Sequence, residues 1–162
     1  FHFIHKDYFY ELYPSNFKYE TIFFGLESRL YENLTPFEKR IKNRILNSGN
    51  IGNTKFLSKL ILKIKNPRWN ALNQYYLRTL CTNLPYVDYT STLQHEYIND
   101  KYPLLLMKYC GSITAHSLYP VIKYWESTAA GCLTFMEITE KNQEEILGFK
   151  DGENAIFINE KN

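Results

Sequence analysis

The sequence predicts an α/β domain whose sheet is mainly parallel. Within residues 86–159, short runs of apolar and β-branched residues alternate with longer segments of helical periodicity. Such alternation is typical of parallel strands joined by crossover helices. The chain has 162 residues, of which 44% are hydrophobic and 17% aromatic, enough for one hydrophobic core. We therefore expect one domain, over residues 21–162.

The chain before residue 36 has few regular signals. Residues 1–20 are dense in Phe, Tyr and His without a clear period, and we interpret them as a lead-in segment. Residues 21–25 form a β-branched and aromatic run that ends at a glycine, which predicts a buried strand. Residues 26–35 then form a loop.

Residues 36–82 predict a helix-rich N-terminal part. Thr35-Pro36 resembles a helix start, and Phe37, Ile41 and Ile45 recur every four residues, which favours a helix over 36–47. A second helix is predicted over 56–64, with a strand over 60–64 as the alternative. A third is predicted over 69–82, with three residues facing inward: Leu72, Tyr76 and Leu80.

The rest of the chain supplies the alternation. The predicted order is strand 86–90, helix 94–109, strand 111–116, helix 120–130, strand 132–137, helix 141–147 and strand 155–159. Ligands bind beyond the carboxyl ends of the strands in such sheets. A binding site is therefore expected in the loops at 26–35, 91–94, 117–119 and 138–140.

The formal net charge is only +2, but residues 36–68 carry nine cations against the single acid Glu38. Cations on amphipathic helices are ordinarily a solvated face. The alternative is a surface for nucleic acid or an anionic membrane, with Phe37, Phe56 and Trp69 among the cations. We expect no nucleic acid, and we keep a peripheral membrane contact as an alternative.

Three cysteines without metal-type spacing indicate reduced, buried thiols and no zinc site. The sequence has no signal peptide and no apolar run long enough to span a membrane, so we expect a cytoplasmic protein. The chain begins at Phe1 without Met and ends directly after a predicted strand. We expect it to be a piece of a longer protein.

One short segment combines chemistry with tight packing. Lys123 and Glu126 are three residues apart on the predicted helix 120–130, and Gly131 follows as a left-handed cap. The two charges are either a solvated surface pair worth about 0.3 kcal/mol, which spacing alone favours, or a pair facing the ligand loop.

Two blocks carry a family resemblance. Residues 116–135 (HSLYPVIKYWESTAAGCLTF) contain Lys-x-x-Glu-x-x-Ala-x-Gly after a small polar loop, and residues 147–158 contain an Asp-Gly-Glu-Asn turn before a last strand. This order resembles the donor-binding, C-terminal half of GT-B glycosyltransferases, and the resemblance covers residues 86–162. It implies a Rossmann-like, three-layer domain.

The resemblance also implies a donor site for a nucleotide-diphosphate sugar. Glu126 would accept hydrogen bonds from the ribose hydroxyls, because an ionised carboxylate only accepts. The diphosphate would lie at the start of the helix, on the amides near Ser117 and Tyr119, with the charge of Lys123 nearby. Two further candidates for the phosphates or the sugar are Arg29 and His116.

The implied activity is hexosyl or related glycosyl transfer without a cofactor or a metal, the nucleotide sugar being the substrate. An N-terminal domain that this sequence lacks would bring the acceptor and the catalytic base. Many retaining members have a second acid where this chain has Leu118, so retention of configuration is not implied. A sugar-nucleotide epimerase of the same architecture remains an alternative, as does a non-enzymatic binding module that uses the basic helices at 36–68.

Overall fold

A computed structural model describes residues 9–10, 12–20, 22, 24–52, 55–65, 75–91, 96–115, 121–138 and 147–159. Its strands are β1 (Ile41–Ser48), β2 (Val87–Thr90), β3 (Tyr109–Thr114), β4 (Leu133–Glu137) and β5 (Ile156–Ile158). Its α-helices are α1 (Phe56–Lys65), α2 (Tyr76–Cys81), α3 (Tyr102–Leu106) and α4 (Lys123–Ala129). Short 3-10 helices cover Ser28–Tyr31, Phe37–Lys39 and Asn99–Lys101.

The five strands form one sheet in the order β2-β1-β3-β4-β5, and every neighbouring pair is parallel. This confirms the predicted α/β class and the predicted parallel sheet. β1 lies inside the sheet, where Ile45 is paired with Val87 on one side and with Gly111 on the other. Central strands of parallel sheets are buried on both faces, so helices must cover both.

Adjacent residues of β1 show the two covered faces. Ile45 packs in a cluster with Leu77 and Cys81 of α2. Its neighbour Leu46 packs in a different cluster, with Leu105 and Leu106 of α3 and with Ala130 at the end of α4. Successive strand residues point to opposite faces. Helices therefore lie on both sides of the sheet, which makes three layers.

The helix predicted over 36–47 is wrong, because β1 begins at Ile41 after a single turn of 3-10 helix. A spacing of four residues is compatible with both structures, since Ile41 and Ile45 share one face of a helix and also one face of a strand. The pairing of β1 with two neighbours decides the outcome. It buries the last residues of the strand, Leu46, Asn47 and Ser48.

The strand predicted over 21–25 is also wrong at its described residues, Ile22, Phe24 and Gly25, none of which is in a strand. Phe24 instead lies against Trp125, with 5.8 Å between the ring centroids. An aromatic side chain in a loop can pack against a helix residue in this way without belonging to a strand.

The predicted helix over 56–64 is confirmed by α1, and the described part of the helix over 69–82 by α2. The inward face of α2 differs from the prediction: Tyr76 and Leu80 are exposed, whereas Leu77, Arg78 and Cys81 are buried. Leu72 lies outside the described residues. In the described part of the helix predicted over 94–109, residues 96–109, helical structure is limited to the 3-10 turn and α3. The helix predicted over 141–147 lies outside the described residues except for Leu147.

A buried arginine joins the start of β1 to the end of α4. Arg40 Nη1 donates to the backbone oxygens of Ala130 and Gly131, at 2.8 and 3.0 Å, and its Nε donates to the oxygen of Thr35 at 2.8 Å. The last carbonyls of a helix have no intrahelical donor, and a cation also favours the negative helix end. Arg40 therefore caps α4.

Gly131 has a φ of +73°, the left-handed conformation that the sequence predicts for it. A Cβ at this position would lie 3.2 Å from Arg40 Nη2. We expect Gly131→Ala to lower the free energy of unfolding by about 1–2 kcal/mol, because alanine is strained at this φ and the new methyl group crowds the capping guanidinium. Urea denaturation measures the change.

Gly25 is the matched control for this substitution, since a Cβ there would meet no atom within 4 Å. Gly25→Ala is expected to change the free energy of unfolding by less than about 0.5 kcal/mol. Equal losses in the two variants would contradict the role assigned to Gly131.

All three cysteines are free and buried, which confirms the prediction of buried, unpaired thiols. Residues 151–154 form a turn, in which the Asn154 side chain accepts a hydrogen bond from the amide of Lys150 at 2.7 Å. Within the described ranges, none of the helices has the length and apolar character that a membrane span needs.

Candidate functional site

The strand order fixes where a ligand site can form. β1 lies between β2 and β3, so the chain moves from β1 toward one edge of the sheet and later returns to the other side of β1. In open parallel sheets this reversal leaves a crevice beyond the carboxyl ends of the two central strands, where ligands bind. In this sheet the corresponding position lies between Ser48, at the end of β1, and Ala115, directly after β3.

Lys123 reaches the carboxyl end of β1 from the first turn of α4. Its Nζ donates to the backbone oxygen of Ser48 at 2.6 Å and lies 5.5 Å from the centre of the Tyr102 ring. The Tyr102 hydroxyl lies 2.6 Å from Ser48 Oγ. Burial, and next the charge of Arg78, lower the pKa of Lys123 to about 7, against the opposing charge of Glu126.

Arg78 reaches the same place from α2, on the opposite face of the sheet. It is 6% exposed, its Nη1 donates to the oxygen of Asn50 at 3.1 Å, and its Nη2 donates to the oxygen of Ala115. The buried Nε of Arg78 has no hydrogen-bond partner among the described residues. The side chain of Asn47 donates to the backbone oxygen of Arg78 at 2.9 Å and thereby fixes α2 against β1.

Gly49 allows the two cations to meet. It follows β1 with a φ of +122°, and a Cβ there would lie 2.7 Å from Lys123 Nζ and 3.0 Å from Arg78 Nη1. Burial is the main cause of the lowered pKa of Lys123, and repulsion from the charge of Arg78 lowers it further. An anion between them would relieve this repulsion, which makes the position chemically suited to phosphate.

Two carboxylates accompany the cations. Glu126 is half-buried one turn after Lys123, and burial raises its pKa while Lys123 lowers it. Burial, and next the charge of Glu126, raise the pKa of Tyr31, in the 3-10 helix Ser28–Tyr31, to about 12. Glu137 is buried at the end of β4, and its charge favours the charged form of Arg78.

These residues are called the edge cluster below: Ser48, Gly49, Arg78, Tyr102, Lys123 and Glu126. They come from three different helices and from β1, so only the folded chain brings them together. The cluster offers hydroxyl groups, two cations and one acceptor at a single edge of the sheet. Such a set can bind a ligand that has both phosphate and hydroxyl groups.

The residues predicted for the site have different outcomes. Lys123 and Glu126 do lie together in the edge cluster. Arg29 does not join them: it forms a surface salt bridge with Glu27, with side chains 67% and 50% exposed. His116, Ser117 and Tyr119 lie outside the described residues. Gly131 directly follows the C-cap of α4, at the opposite end of the helix from Lys123. Its role is to end the helix, and it is not part of the edge cluster.

Four members of the edge cluster were not predicted: Ser48, Gly49, Arg78 and Tyr102. Ser48 and Gly49 would follow from a strand assignment for 41–48, because the residues after a parallel strand lie at the ligand edge. Arg78 had a weaker signal, a single cation within a segment whose apolar residues fit more than one helical face. Tyr102 had no sequence signal that distinguishes it from the chain's many other tyrosines.

Among the described residues, His, Cys, Asp and Glu side chains form no group of three that could hold a metal ion. Comparisons of the chain with protein-family models, with curated proteins and with solved structures find no match. The edge cluster and the topology of the sheet are therefore the basis on which a function can be argued.

Proposed function

We propose that this domain binds a nucleotide-diphosphate sugar at the edge cluster, as the donor-binding domain of a GT-B glycosyltransferase. The glycosyl group would be transferred to an acceptor held by a second domain. Transfer would take place in the cleft between the two.

One observation carries the proposal: Lys123 and Arg78 converge on Gly49 from opposite faces of the sheet, at the reversal of the strand order. Both side chains donate to backbone oxygens at present, and each retains further donor capacity. A diphosphate has enough oxygen atoms to accept from both cations. Its negative charge would also favour the charged form of Lys123, which burial now disfavours.

Glu126 supplies the second half of the recognition. No hydrogen bond or salt bridge joins its carboxylate to another described residue, and it is only half-buried. An ionised carboxylate with free acceptor positions is suited to two neighbouring hydroxyl groups, such as those of a ribose. Lys123 lies three residues away on the same helix, so one ligand can contact both.

The chemical contribution of the domain would be electrostatic. Negative charge develops on the diphosphate as its bond to the sugar breaks. Fixed cations at that position stabilise this charge without reorganisation during the reaction. Lys123 and Arg78 would have this role, and the acceptor and its base would come from the other domain.

A ligand panel tests the proposal. We expect at least one of UDP, GDP, ADP or their sugar derivatives to raise the melting temperature of the wild-type chain. Glu126→Gln should lower the affinity for that nucleotide at least tenfold, since a hydrogen bond to a charged acceptor is worth about 1.5–3 kcal/mol. Thermal shift gives the ranking of ligands and calorimetric titration gives the affinities.

Glu153→Gln is the matched control, because Glu153 is an exposed acid in the turn at 151–154, where it pairs with Lys150. This variant should bind like the wild type. The proposal fails if no nucleotide shifts the wild-type melting temperature, or if Glu126→Gln and Glu153→Gln bind equally well.

A further inference from the structure

The outer surface of α1 is unusually apolar. Five of its ten residues are large hydrophobic side chains that are between 52% and 79% exposed: Phe56, Leu57, Leu60, Ile61 and Ile64. At 100° per residue they share one arc of about 140° on the helix. A soluble surface rarely leaves such a contiguous patch uncovered, so the arc indicates an interaction site.

Lysines are placed around this arc. α1 contains Lys59, Lys63 and Lys65, and Lys55 precedes it directly. Lys63 and Lys65 occupy positions on either side of the apolar arc, and Lys65 is exposed. The chain has no Asp or Glu between Glu38 and Asp88. The helix therefore combines an apolar stripe with three lysines and no acidic residue.

We propose that α1 is an interfacial helix that lies on an anionic lipid bilayer. The apolar arc would enter the boundary between headgroups and acyl chains, and the lysines would contact anionic headgroups. Each large side chain gains up to about 1.5–3 kcal/mol on full burial, and each lysine about 1 kcal/mol near an anionic surface. The absence of acidic residues on α1 itself means that nothing on this helix repels the lipid.

The charge pattern favours lipid over the alternatives. Binding to a protein groove would need acidic residues that match the three lysines of a ten-residue helix, whereas an anionic bilayer offers negative charge at every position. The apolar arc is also accessible, because its five residues are each more than half exposed. This inference is independent of the nucleotide site, since α1 contributes no residue to the edge cluster.

Vesicle sedimentation with the full chain tests the inference. We expect binding to vesicles in which about a third of the lipid is phosphatidylserine, and at least tenfold weaker binding to pure phosphatidylcholine. The double variant Leu60→Gln, Ile64→Gln should lose at least tenfold in affinity for the anionic vesicles, because it interrupts the apolar arc. High salt should weaken binding of the wild type.

Leu104→Gln is the matched control, since Leu104 is a comparably exposed leucine, 53% exposed, on the unrelated helix α3. It should bind vesicles like the wild type, and both variants should retain the wild-type melting temperature. The inference is overturned if the wild type does not sediment with anionic vesicles, or if the α1 variant and the Leu104 variant bind equally. It is also overturned if the wild type is a dimer that the α1 variant dissociates, because a second copy would then cover the arc.

Discussion

Arg40→Met is expected to lower the free energy of unfolding by about 3–5 kcal/mol, a larger loss than the one expected for Gly131→Ala. The guanidinium is 7% exposed and donates to the backbone oxygens of Thr35, Ala130 and Gly131. Methionine fills much of the space but offers no donor. The backbone oxygen of Ala130 would then be buried without this partner, and the end of α4 would lose its compensating charge.

Arg29→Met is the control for Arg40, because Arg29 forms a salt bridge with Glu27 at an exposed position. Exposed ion pairs contribute about 0–1 kcal/mol, so this variant should unfold almost like the wild type. Chemical denaturation of both variants at one pH gives the comparison. A loss below about 1 kcal/mol for Arg40→Met would refute the capping role.

Lys123 should give the protein an unusual dependence on pH. Because the folded pKa is about 7 and the ordinary lysine pKa is near 10.5, the unfolded chain holds a proton above pH 7 that the folded chain has released. Raising the pH therefore favours the folded state. We expect the free energy of unfolding to rise between pH 7 and about 8.5, by at most about 1.4 kcal/mol per pH unit.

The rise should end near pH 8.5 because other groups then act in the opposite direction. Burial raises the pKa of Cys81 and Cys132, so these thiols ionise first in the unfolded chain and favour it at higher pH. Lys123→Met should remove the rise, whereas Lys150→Met should keep it, since Lys150 is an exposed lysine paired with Glu153. Urea denaturation midpoints measured at several pH values test this prediction. If stability still rises with pH in Lys123→Met, the rise comes from the titration of another group.

The same titration predicts how the proposed ligand binds. The diphosphate of a nucleotide sugar keeps its charge throughout this range, so only the protein titrates. If the ammonium of Lys123 contacts the diphosphate, the affinity should fall above pH 7 by up to about tenfold per pH unit, and Lys123→Met should bind weakly at every pH. Equal affinity at pH 6.5 and 8.5 would exclude Lys123 from the contact.

The fold was largely predictable where the sequence has one periodicity. Residues 86–159 alternate between apolar runs and helical segments, and β2, β3, β4 and β5 lie where the pattern predicts strands. Prediction failed at β1, because a spacing of four is shared by both periodicities. The deciding interaction, pairing with β2 and β3, joins residues more than forty positions apart and leaves no local signal.

The candidate site was likewise predictable where local spacing brings residues together, and not where long-range strand pairing does. Lys123 and Glu126 belong to one helix, so local spacing was enough to pair them. Arg78 is buried instead of exposed because the oxygens of Asn50 and Ala115 accept its hydrogen bonds. These two oxygens are brought within reach of Arg78 only when β1 and β3 lie side by side in the sheet. A cation that is stabilised by distant backbone oxygens cannot be recognised from its own segment.

The turn at 151–154 has one further effect. The Asp151 carboxylate accepts a hydrogen bond from the amide of Phe157 at 2.8 Å, on the three-residue strand β5 that ends the sheet. An unoccupied amide on an outermost strand invites a strand from another molecule, and a short strand with an occupied amide does not. The contact between Asp151 and Phe157 thereby removes one position at which a strand of another molecule could pair with the outer edge of β5.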